Sequence, residues 1–549
     1  MRRRAPWLGG FAFLVVAALW PGPSLGQDWI YTVRPGDTLW DLSERHLLNV
    51  SYWQRLQAYN DVSDPWRMPP GLRLRIPIRW LKVQPAPARV VAATGGGTLT
   101  RAGSSSTSSL VEGTLLYAGD TVEVAATGSA TLGFADGSRL LIAPGSVVRM
   151  DALRAYGDGG MVDTRVRLEE GRTDTQVPAT KYPATRFEIW TPAAVSAVRG
   201  TEFRVGVAEE GGVSRTEVLA GMAEVSAQNR LVPVREGFGT ITTRGRPPSA
   251  PSPLLPAPDL TALPPKFDRV PLRFRIDPVA NARAYRIEIA PTSAFETLHF
   301  DSVGESTTFR GPDLPDGRYV IRVRAIHDQG LEGLNATAEI VIDARPEPPL
   351  PMEPIKEGKV REEIPAFRWS MPVNAVAFRF QLAKNDDFTA PLVALDAHTS
   401  TTLRLDQPIS PGLYSWRVAT TDASGETGPF SDPQAFELKP APTSPELEPP
   451  QRDADNLVFR WRAGQPNQTY QVQFARDLAF KDILVDERVA EPQVTVARPE
   501  PGEYFLRVRT IDDDGYEGPF GTAQSVYISP EDWWPVVIIP FLFLLPLLL

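Results

Sequence analysis

The length and composition of the chain favour several β-rich domains. Its 549 residues exceed what one hydrophobic core serves, and 54 Pro and 42 Gly beside only 22% charged residues are typical of β modules joined by Pro-rich linkers. The formal net charge is −9 and no segment is basic enough to follow a phosphate backbone, so we expect no nucleic acid partner. With 0 Cys and 4 scattered His, we expect no catalytic residue, no metal site and no cofactor.

Residues 1–26 have the pattern of a signal peptide. Three Arg at positions 2–4 precede an apolar run from Trp7 to Trp20, and the small residues Ser24 and Gly26 stand just before a cut at Gln27. The alternative is an uncleaved anchor, for which the apolar run is short. We therefore predict an exported protein of the bacterial periplasm or cell envelope.

Residues 533–549 are apolar throughout and follow Glu531 and Asp532. As a helix this segment would be about 26 Å long, just enough to cross a hydrocarbon core. Trp533 and Trp534 suit a membrane interface, whereas three Pro and the lack of a following Lys or Arg argue against a span. The segment is predicted to be a membrane anchor, with a buried or degradable tail as the alternative.

A Pro-rich stretch at residues 244–266, predicted to be a linker, precedes three blocks that repeat one pattern. The blocks span residues 267–345, 357–438 and 452–529. Each contains an alternating strand, and these strands read Tyr285-Arg-Ile-Glu-Ile, Phe378-Arg-Phe-Gln-Leu and Tyr470-Gln-Val-Gln-Phe. The alternation predicts one buried face per strand.

Each block then carries a Gly-x-Tyr step, which ends at Tyr319, Tyr414 or Tyr504 and opens a second alternating strand. The step resembles the tyrosine corner of fibronectin type III and related sandwiches, in which the phenol bonds back to the preceding turn. We therefore predict three β-sandwich repeats of the fibronectin III or immunoglobulin-like kind.

The turn Asp512-Asp-Asp-Gly515 has the acidic residues of a calcium loop. The corresponding turns of the other two blocks read His327-Asp-Gln-Gly and Asp422-Ala-Ser-Gly, which lack that acidic set. A hairpin turn is therefore predicted, with calcium binding as the alternative.

Residues 28–82 combine a strand, two helices and a second strand. The stretch Tyr31-Thr-Val-Arg-Pro-Gly-Asp-Thr-Leu-Trp40 predicts a strand, a turn and a capped helix that starts near Leu39. A second helix is expected over Ser51–Tyr59, and the loop Asp64-Pro-Trp-Arg-Met-Pro-Pro-Gly71 leads into a strand that ends at Pro77. This βααβ order, with these residues, resembles the LysM family over the whole module.

The resemblance implies that the module binds the N-acetylglucosamine-containing glycan of peptidoglycan in a shallow groove between two loops. Backbone amides and carbonyls would bind acetamido groups while an apolar floor takes the sugar faces. The peptidoglycan-binding residues carried over from the family are Gly36, Asp37, Thr38, Leu39, Asp64, Pro65, Trp66, Met68 and Pro70. The alternative is that these residues only form caps and turns. Trp66 replaces the aliphatic residues or Asn that are more usual there, which leaves the ligand preference open.

Residues 89–243 contain a second set of motifs. Ala135-Asp-Gly-Ser138 predicts a turn between apolar strands. In the stretch from Thr191 to Val205, which includes Val-Arg-Gly200-Thr-Glu-Phe, the apolar residues before Arg199 are predicted to be core and Gly200 permits a tight corner. These motifs resemble the periplasmic β domain of the FecR family, which couples an outer-membrane cue to a sigma factor. Members of that kind carry a cytoplasmic segment before a single span, whereas six residues precede the apolar run here. Only the extracytoplasmic half of that mechanism is therefore expected.

The predicted fold class is mainly β and multidomain: a small βααβ LysM module, a β-rich FecR-like domain and three β-sandwich repeats. The predicted function is that of a non-enzymatic cell-envelope protein that binds peptidoglycan and displays a FecR-like domain for sensing, signalling or scaffolding. Its expected partners are peptidoglycan, envelope proteins of unknown identity and, through the C-terminal segment, a membrane. The alternative is a surface adhesin or extracellular matrix protein that uses the sandwich repeats. A wall hydrolase would need paired carboxylates or a metal set, and the sequence offers neither.

Overall fold

The computed structural model of the chain describes residues 28–157, 160–179, 185–208, 212–453 and 455–530. The chain divides into two compact units, one ending at Ala344 and the other beginning at Arg345. The predicted signal peptide (1–26) and the predicted C-terminal anchor (533–549) lie outside the described residues. Within the described ranges, no helix is both long and apolar enough to cross a membrane.

The N-terminal module has the predicted βααβ order. It consists of β1 (Asp28–Thr32), α1 (Leu39–His46), α2 (Tyr52–Tyr59) and β2 (Arg73–Pro77), followed by a 3-10 turn at Ile78–Trp80. The two strands pair antiparallel, with Tyr31 opposite Leu74. Their inward residues pack on Leu42 of α1 and Leu56 of α2, both fully buried, because each helix has one apolar stripe facing the sheet.

The next domain, which we call the closed β-domain (residues 83–253), is built from a sheet that closes on itself. Its strands are β3 (Val83–Pro85), β4 (Ala88–Thr94), β5 (Gly97–Thr100), β6 (Thr107–Ser109), β7 (Leu115–Leu116), β8 (Thr121–Val124), β9 (Ser129–Gly133), β10 (Arg139–Ile142), β11 (Val147–Tyr156), β12 (Met161–Val177), β13 (Arg186–Trp190), β14 (Val195–Val198), β15 (Thr201–Val207), β16 (Val213–Ala220), β17 (Met222–Ala227), β18 (Arg230–Arg235), β19 (Phe238–Thr243) and β20 (Ser252–Pro253). β12 pairs antiparallel with β15, which pairs with β16. Alternate apolar residues of these strands, among them Val166, Phe203 and Val218, fill a single core.

Two glycines of this domain occupy corners that a side chain would disrupt. Gly200 (φ +61°) joins β14 to β15, and Gly221 (φ +82°) joins β16 to β17. A Cβ atom on Gly221 would lie 2.4 Å from the carbonyl oxygen of Gly200, closer than such atoms can approach. The tight corner predicted at Gly200 is therefore one half of a pair of packed corners.

The LysM-type module packs directly on the β11–β12 hairpin. Met161 of β12 is fully buried within the module's core, and Tyr156 of β11 packs against it. The Gly157 backbone N–H donates a 2.8 Å hydrogen bond to the carbonyl oxygen of Lys82. A Cβ atom on Gly157 would lie 3.3 Å from Nδ1 of His46, so the two parts are in close contact.

Residues 244–266, the predicted linker, pack against both of their neighbours. β20 lies within this segment and pairs with β19. Leu254 and Leu263 are buried, and the carbonyl oxygen of Leu255 accepts a 2.9 Å hydrogen bond from the backbone of Leu334.

Three β-sandwiches follow, and we call them repeats 1, 2 and 3. Repeat 1 contains β21 (Lys266–Phe267), β22 (Arg273–Arg275), β23 (Ala282–Ala290), β24 (Phe300–Gly304), β25 (Thr308–Arg310), β26 (Gly317–His327) and β27 (Ala336–Ile342). Repeat 2 contains β28 (Pro351–Glu353), β29 (Gly358–Val360), β30 (Ala366–Trp369), β31 (Ala375–Lys384), β32 (Val393–His398), β33 (Thr402–Arg404), β34 (Gly412–Asp422) and β35 (Gln434–Leu438). Repeat 3 contains β36 (Gln451–Asp453), β37 (Asn456–Arg460), β38 (Thr469–Ala475), β39 (Ile483–Val489), β40 (Gln493–Ala497), β41 (Gly502–Ile511) and β42 (Gln524–Ile528).

The repeats share the order of the four antiparallel strands in the larger sheet, to which β21 in repeat 1 and β29 in repeat 2 add a parallel edge strand. The larger sheets have the strand orders β21-β27-β26-β23-β24, β29-β35-β34-β31-β32 and β39-β38-β41-β42, and each faces a smaller sheet across an apolar core. The hydroxyls of Tyr319, Tyr414 and Tyr504 donate hydrogen bonds of 3.0, 2.6 and 2.8 Å to backbone carbonyls four residues earlier. These contacts confirm the three predicted tyrosine corners and, with them, the β-sandwich prediction.

Candidate functional site

The two loops that were predicted to form a glycan groove lie side by side. The Leu39 backbone N–H, at the start of α1, donates a 2.9 Å hydrogen bond to the carbonyl oxygen of Pro65 in the loop before β2. Gly36, in the first loop, is exposed with φ +89° and has open space where a side chain would be. The first turn of α1 and the second loop are thus fixed to each other at an accessible surface.

Several predicted site residues shape these loops from inside. Asp37 is buried, and its Oδ2 accepts hydrogen bonds of 2.7 Å each from the Tyr31 hydroxyl and the Arg34 backbone N–H. Burial, and then the hydrogen bond to Asp37, raise the pKa of Tyr31. Thr38 Oγ1 accepts a 3.0 Å hydrogen bond from the Asp41 backbone N–H and so caps α1. Asp37 therefore contributes to the loop as scaffold.

The remaining predicted residues divide between core and surface. Leu39 and Met68 are buried in the module's core, where they support the loops from below. Asp64 and Pro70 are exposed, and Pro65 is half-buried. Asp64 Oδ1 accepts a 2.9 Å hydrogen bond from the backbone N–H of Trp66. This hydrogen bond closes the turn that presents the indole ring of Trp66.

Three tryptophans of the LysM domain lie close together, and we call them the indole surface (Trp40, Trp53 and Trp66). Trp66 is the most exposed of the three. Trp66 is 55% exposed and Trp40 40% exposed, and their rings stack at 6.3 Å between centroids with 24° between planes. The ring centroid of Trp53, on α2, lies 6.0 Å from that of Trp66. The predicted set contains Trp66 but neither Trp40 nor Trp53, although the position of Trp40 directly after Leu39 places it in the first turn of α1, beside the same loops.

A second feature lies where repeat 1 covers the strands β12, β15 and β16. Equal numbers of arginines and carboxylates meet there in a buried cluster, which we call the ion network. Its members are Arg172, Asp174, Arg204 and Glu217 from the closed β-domain, and Arg286, Glu288, Asp301, Arg322, Arg324 and Glu332 from repeat 1.

Glu288 is at the centre of the ion network and is fully buried. Its carboxylate accepts hydrogen bonds from Arg172 Nη2 at 2.7 Å and from Arg322 Nε at 2.6 Å, and it also pairs with Arg324. Burial alone would raise the pKa of Glu288, but the surrounding guanidinium groups outweigh it and hold that pKa well below its usual range. Glu288 is therefore held in its ionised form, and three arginines share its charge.

Glu217, at the edge of the ion network, has a different electrostatic environment. It is buried, and its Oε2 lies 3.5 Å from Nε of Arg204, too far for a short charge-assisted hydrogen bond. Its Oε1 accepts a 3.1 Å hydrogen bond from the Glu332 backbone N–H. Burial dominates here and raises the pKa of Glu217 to about 7, against the lowering effect of Arg204.

The carboxylates of Asp512, Asp513 and Asp514, in the turn considered for calcium, have oxygens within 4.8 Å of one another and are close enough to share one ion. Each already has a cationic partner, however. Arg361 Nη1 lies 2.6 Å from Asp512, and Lys439 Nζ lies 2.8 Å from Asp512 and 2.5 Å from Asp513. Arg361 and Lys359 pair with Asp514. These cations neutralise the turn, which supports the hairpin interpretation.

Family comparisons agree with two of the modules. Residues 31–77, from β1 to the end of β2, match the family model of the LysM domain, and residues 120–224, from β8 into β17, match the family model of the FecR protein. The LysM and FecR resemblances are thereby confirmed. Both domains belong to binding or regulatory families.

Relatives and solved structures add the following similarities. An uncharacterized protein of Deinococcus radiodurans is 38% identical over 50 residues, which cover 9% of this chain and 20% of that protein, so the chain spans about a fifth of the length of this relative. A putative anti-sigma factor from Parabacteroides distasonis is similar over 24% of this chain and 59% of its own (17% identity, TM-score 0.21). The FN1–FN3 domains of chicken CNTN1 are similar over 46% of this chain and 93% of theirs (16% identity, TM-score 0.22). Fibronectin(III)-like modules of Clostridium thermocellum CbhA are similar over 33% of this chain and 93% of their own (11% identity, TM-score 0.22).

Proposed function

We propose that this chain is a non-enzymatic cell-envelope protein that binds the N-acetylglucosamine-containing glycan of peptidoglycan through its LysM domain and displays its FecR domain for sensing, signalling or scaffolding. One observation supports this most strongly. The two loops of the LysM domain are joined between Leu39 and Pro65, and they present the stacked indoles of Trp40 and Trp66 to solvent.

The exposed indoles suit a sugar ligand. An aromatic face accepts the apolar face of a pyranose ring, while backbone groups at exposed loop positions such as Gly36 and Pro70 remain accessible to acetamido and hydroxyl groups. The two adjacent rings form an exposed apolar patch, and such a patch is typical of a binding surface. The proposed contact residues are thus the exposed members of the predicted set together with Trp40.

Sedimentation with insoluble peptidoglycan tests this assignment on the chain from Gln27 onward. Trp66→Ala is expected to weaken binding about tenfold or more, as is usual for a central aromatic contact. Tyr59→Ala is the matched control, because Tyr59 is a 40% exposed aromatic residue of the same domain outside the two loops. Failure of the unaltered chain to sediment, or equal losses for both variants, would refute the assignment.

The location and the anchor are proposed on the sequence of the two ends. Residues 1–26 would direct export, and residues 533–549 would attach the chain to a membrane. Fractionation of cells that produce the chain with and without residues 533–549 tests the anchor. The chain that lacks these residues is expected to move from the membrane fraction to the soluble envelope fraction. Protease treatment of intact cells tests the adhesin alternative, since digestion of the repeats would require them to be exposed at the cell surface.

A further inference from the structure

The face of repeat 1 that carries the ion network has a counterpart in repeats 2 and 3. Strand register aligns the three: Tyr285 pairs with Ala325 in repeat 1, Phe378 with Thr420 in repeat 2, and Tyr470 with Thr510 in repeat 3. In this register the central arginine Arg322 corresponds to Arg417 and Arg507. The same sheet position is therefore cationic in every repeat.

Each of these arginines stacks on a phenylalanine of its own repeat. Arg322 lies 4.0 Å from the ring centroid of Phe295. The guanidinium carbon of Arg417 lies 4.1 Å from the ring centroid of Phe388, and that of Arg507 lies 4.0 Å from the ring centroid of Phe480. This half of the arrangement is the same in all three repeats.

The other half differs. In repeats 2 and 3 a second ring closes over the arginine, with Phe430 at 4.3 Å from Arg417 and Phe520 at 4.2 Å from Arg507. Both rings follow a Gly-Pro dipeptide, whereas repeat 1 reads Gly333-Leu-Asn335 at that place. Asn335 leaves the face open, and its Oδ1 lies 3.4 Å from Nη1 of Arg204 in the closed β-domain.

The charge at the facing position differs as well. Glu288 of repeat 1 corresponds to Gln381 and Gln473, and each glutamine accepts hydrogen bonds from the arginine of its own repeat. A neutral amide satisfies one arginine. Glu288 is instead shared with Arg172 of the closed β-domain, which requires a full negative charge.

We propose that the β12–β15–β16 face of the closed β-domain is a docking surface that selects one kind of sandwich domain, with repeat 1 as its resident partner. Selection rests on a carboxylate at the position of Glu288 and on the absence of a phenylalanine at the position of Asn335. Apolar contacts of Leu141 with Phe295 and Leu298 complete the surface. Repeats 2 and 3 are excluded because each covers its own arginine and lacks the carboxylate.

Cleavage of the full chain between the docked parts tests this selectivity. A protease recognition sequence is inserted between Thr261 and Ala262, which form an exposed turn. After cleavage, the dissociation constant of the two pieces is measured by gel filtration over a dilution series. The unaltered pair is expected to stay associated, and Glu288→Gln with Asn335→Phe, which installs the residues of repeats 2 and 3, is expected to weaken association at least a hundredfold.

Phe430→Asn is the matched control, because it makes the reverse change in repeat 2 and leaves the docking surface intact; its pieces should remain associated. Hydrogen exchange on the uncleaved double variant separates undocking from unfolding. The backbone N–H groups of Leu298 and Glu332, which donate to Ser129 Oγ and Glu217 Oε1 of the closed β-domain, should lose protection, while the strand β26 keeps its own. Asn335→Phe alone should also weaken association. Repeats 2 and 3 accommodate a phenylalanine at the corresponding position, so this variant is expected to fold. Dissociation of the unaltered pieces, or association of the Asn335→Phe pieces at unaltered strength, would overturn the proposal.

Discussion

Arg172 of the closed β-domain donates a 2.7 Å hydrogen bond to Glu288 of repeat 1, although 116 residues separate them in the sequence. Their side chains are 9% and 0% exposed, so water screens the pair very little. Removing one partner of such a pair leaves a buried charge with incomplete compensation, which is far more costly than losing a surface ion pair. The stability of the domain boundary therefore depends on complete pairing.

Arg172→Met is expected to destabilise the first unit by about 3–5 kcal/mol. Arg139→Met is the matched control, because Arg139 pairs with Glu296 at the same boundary but is 51% exposed; its loss should cost about 1 kcal/mol or less. Hydrogen exchange of β12 and β23 in the full chain measures the loss of stability in both variants. Similar losses for the two variants would show that burial does not govern the boundary.

The raised pKa of Glu217 predicts a particular dependence of stability on pH. Its pKa is about 7 in the folded chain against an ordinary value of 4.5, so between these values the folded state holds a proton that the unfolded state has lost. The free energy of unfolding should therefore increase as pH falls from about 7 towards 4.5. At lower pH the trend reverses, because Asp174, Glu288 and Glu332 have lowered pKa values and their contribution is lost on protonation.

Glu217→Gln should remove the first part of this profile and stabilise the chain above pH 7, since glutamine resembles the protonated acid. The groups that face Glu217 (Arg204, Arg324 and Glu332) are retained in this variant. Melting temperatures between pH 4 and 8 provide the measurement, and Glu236→Gln, at an exposed position, is the control. A Glu217→Gln profile parallel to that of the unaltered chain would contradict the prediction.

The packed corners predict a difference between two glycines of similar backbone conformation. Gly237→Ala should cost about 1 kcal/mol, because φ is +77° but the Cβ position is open. Gly221→Ala meets both a positive φ and the carbonyl oxygen of Gly200, so several kcal/mol are expected. Hydrogen exchange at β15 and β16, which respectively begin and end at the packed corners, compares the two variants directly. Equal costs would mean that the corner can relax.

Asp37 and Asp64 should separate scaffold from surface in the LysM domain. Asp37→Ala removes two hydrogen bonds from a buried carboxylate and is expected to destabilise the domain by about 1–3 kcal/mol. Asp64→Ala removes one exposed turn hydrogen bond and should cost about 0.5 kcal/mol. Hydrogen exchange at β1 measures the difference, and peptidoglycan sedimentation below the melting transition should show little change for Asp37→Ala.

Features encoded locally could be predicted from the sequence. The cap at Thr38 and the helix start at Leu39 follow from residues that are neighbours in the chain, and so does each tyrosine corner, because the Tyr414 hydroxyl bonds to a carbonyl only four residues earlier. Repetition supports the sandwich prediction as well, since the same pattern of strands and tyrosine corner occurs three times in the sequence.

The ion network could not be predicted in this way. Glu288 and Arg322 occupy the polar positions of alternating strands, which is the pattern of a solvent-facing surface. They are buried because Arg172 and Asp174, more than a hundred positions earlier in the chain, lie against them, and strand periodicity carries no information about such distant partners. The corresponding Arg417 has the same sequence pattern and a different environment.

The close mounting of the LysM domain on the β11–β12 hairpin has a mechanical consequence. Met161 belongs to the closed β-domain by sequence yet fills the core of the LysM domain, and β3, which directly follows that domain, is hydrogen-bonded along β11. If the LysM domain binds glycan as proposed, a force on its groove would reach this hairpin directly, because β3 follows the domain at once and is already paired with β11. Under the same proposal, that force would pass through Met161 to β12, the strand that also carries Arg172, which pairs with Glu288 of repeat 1.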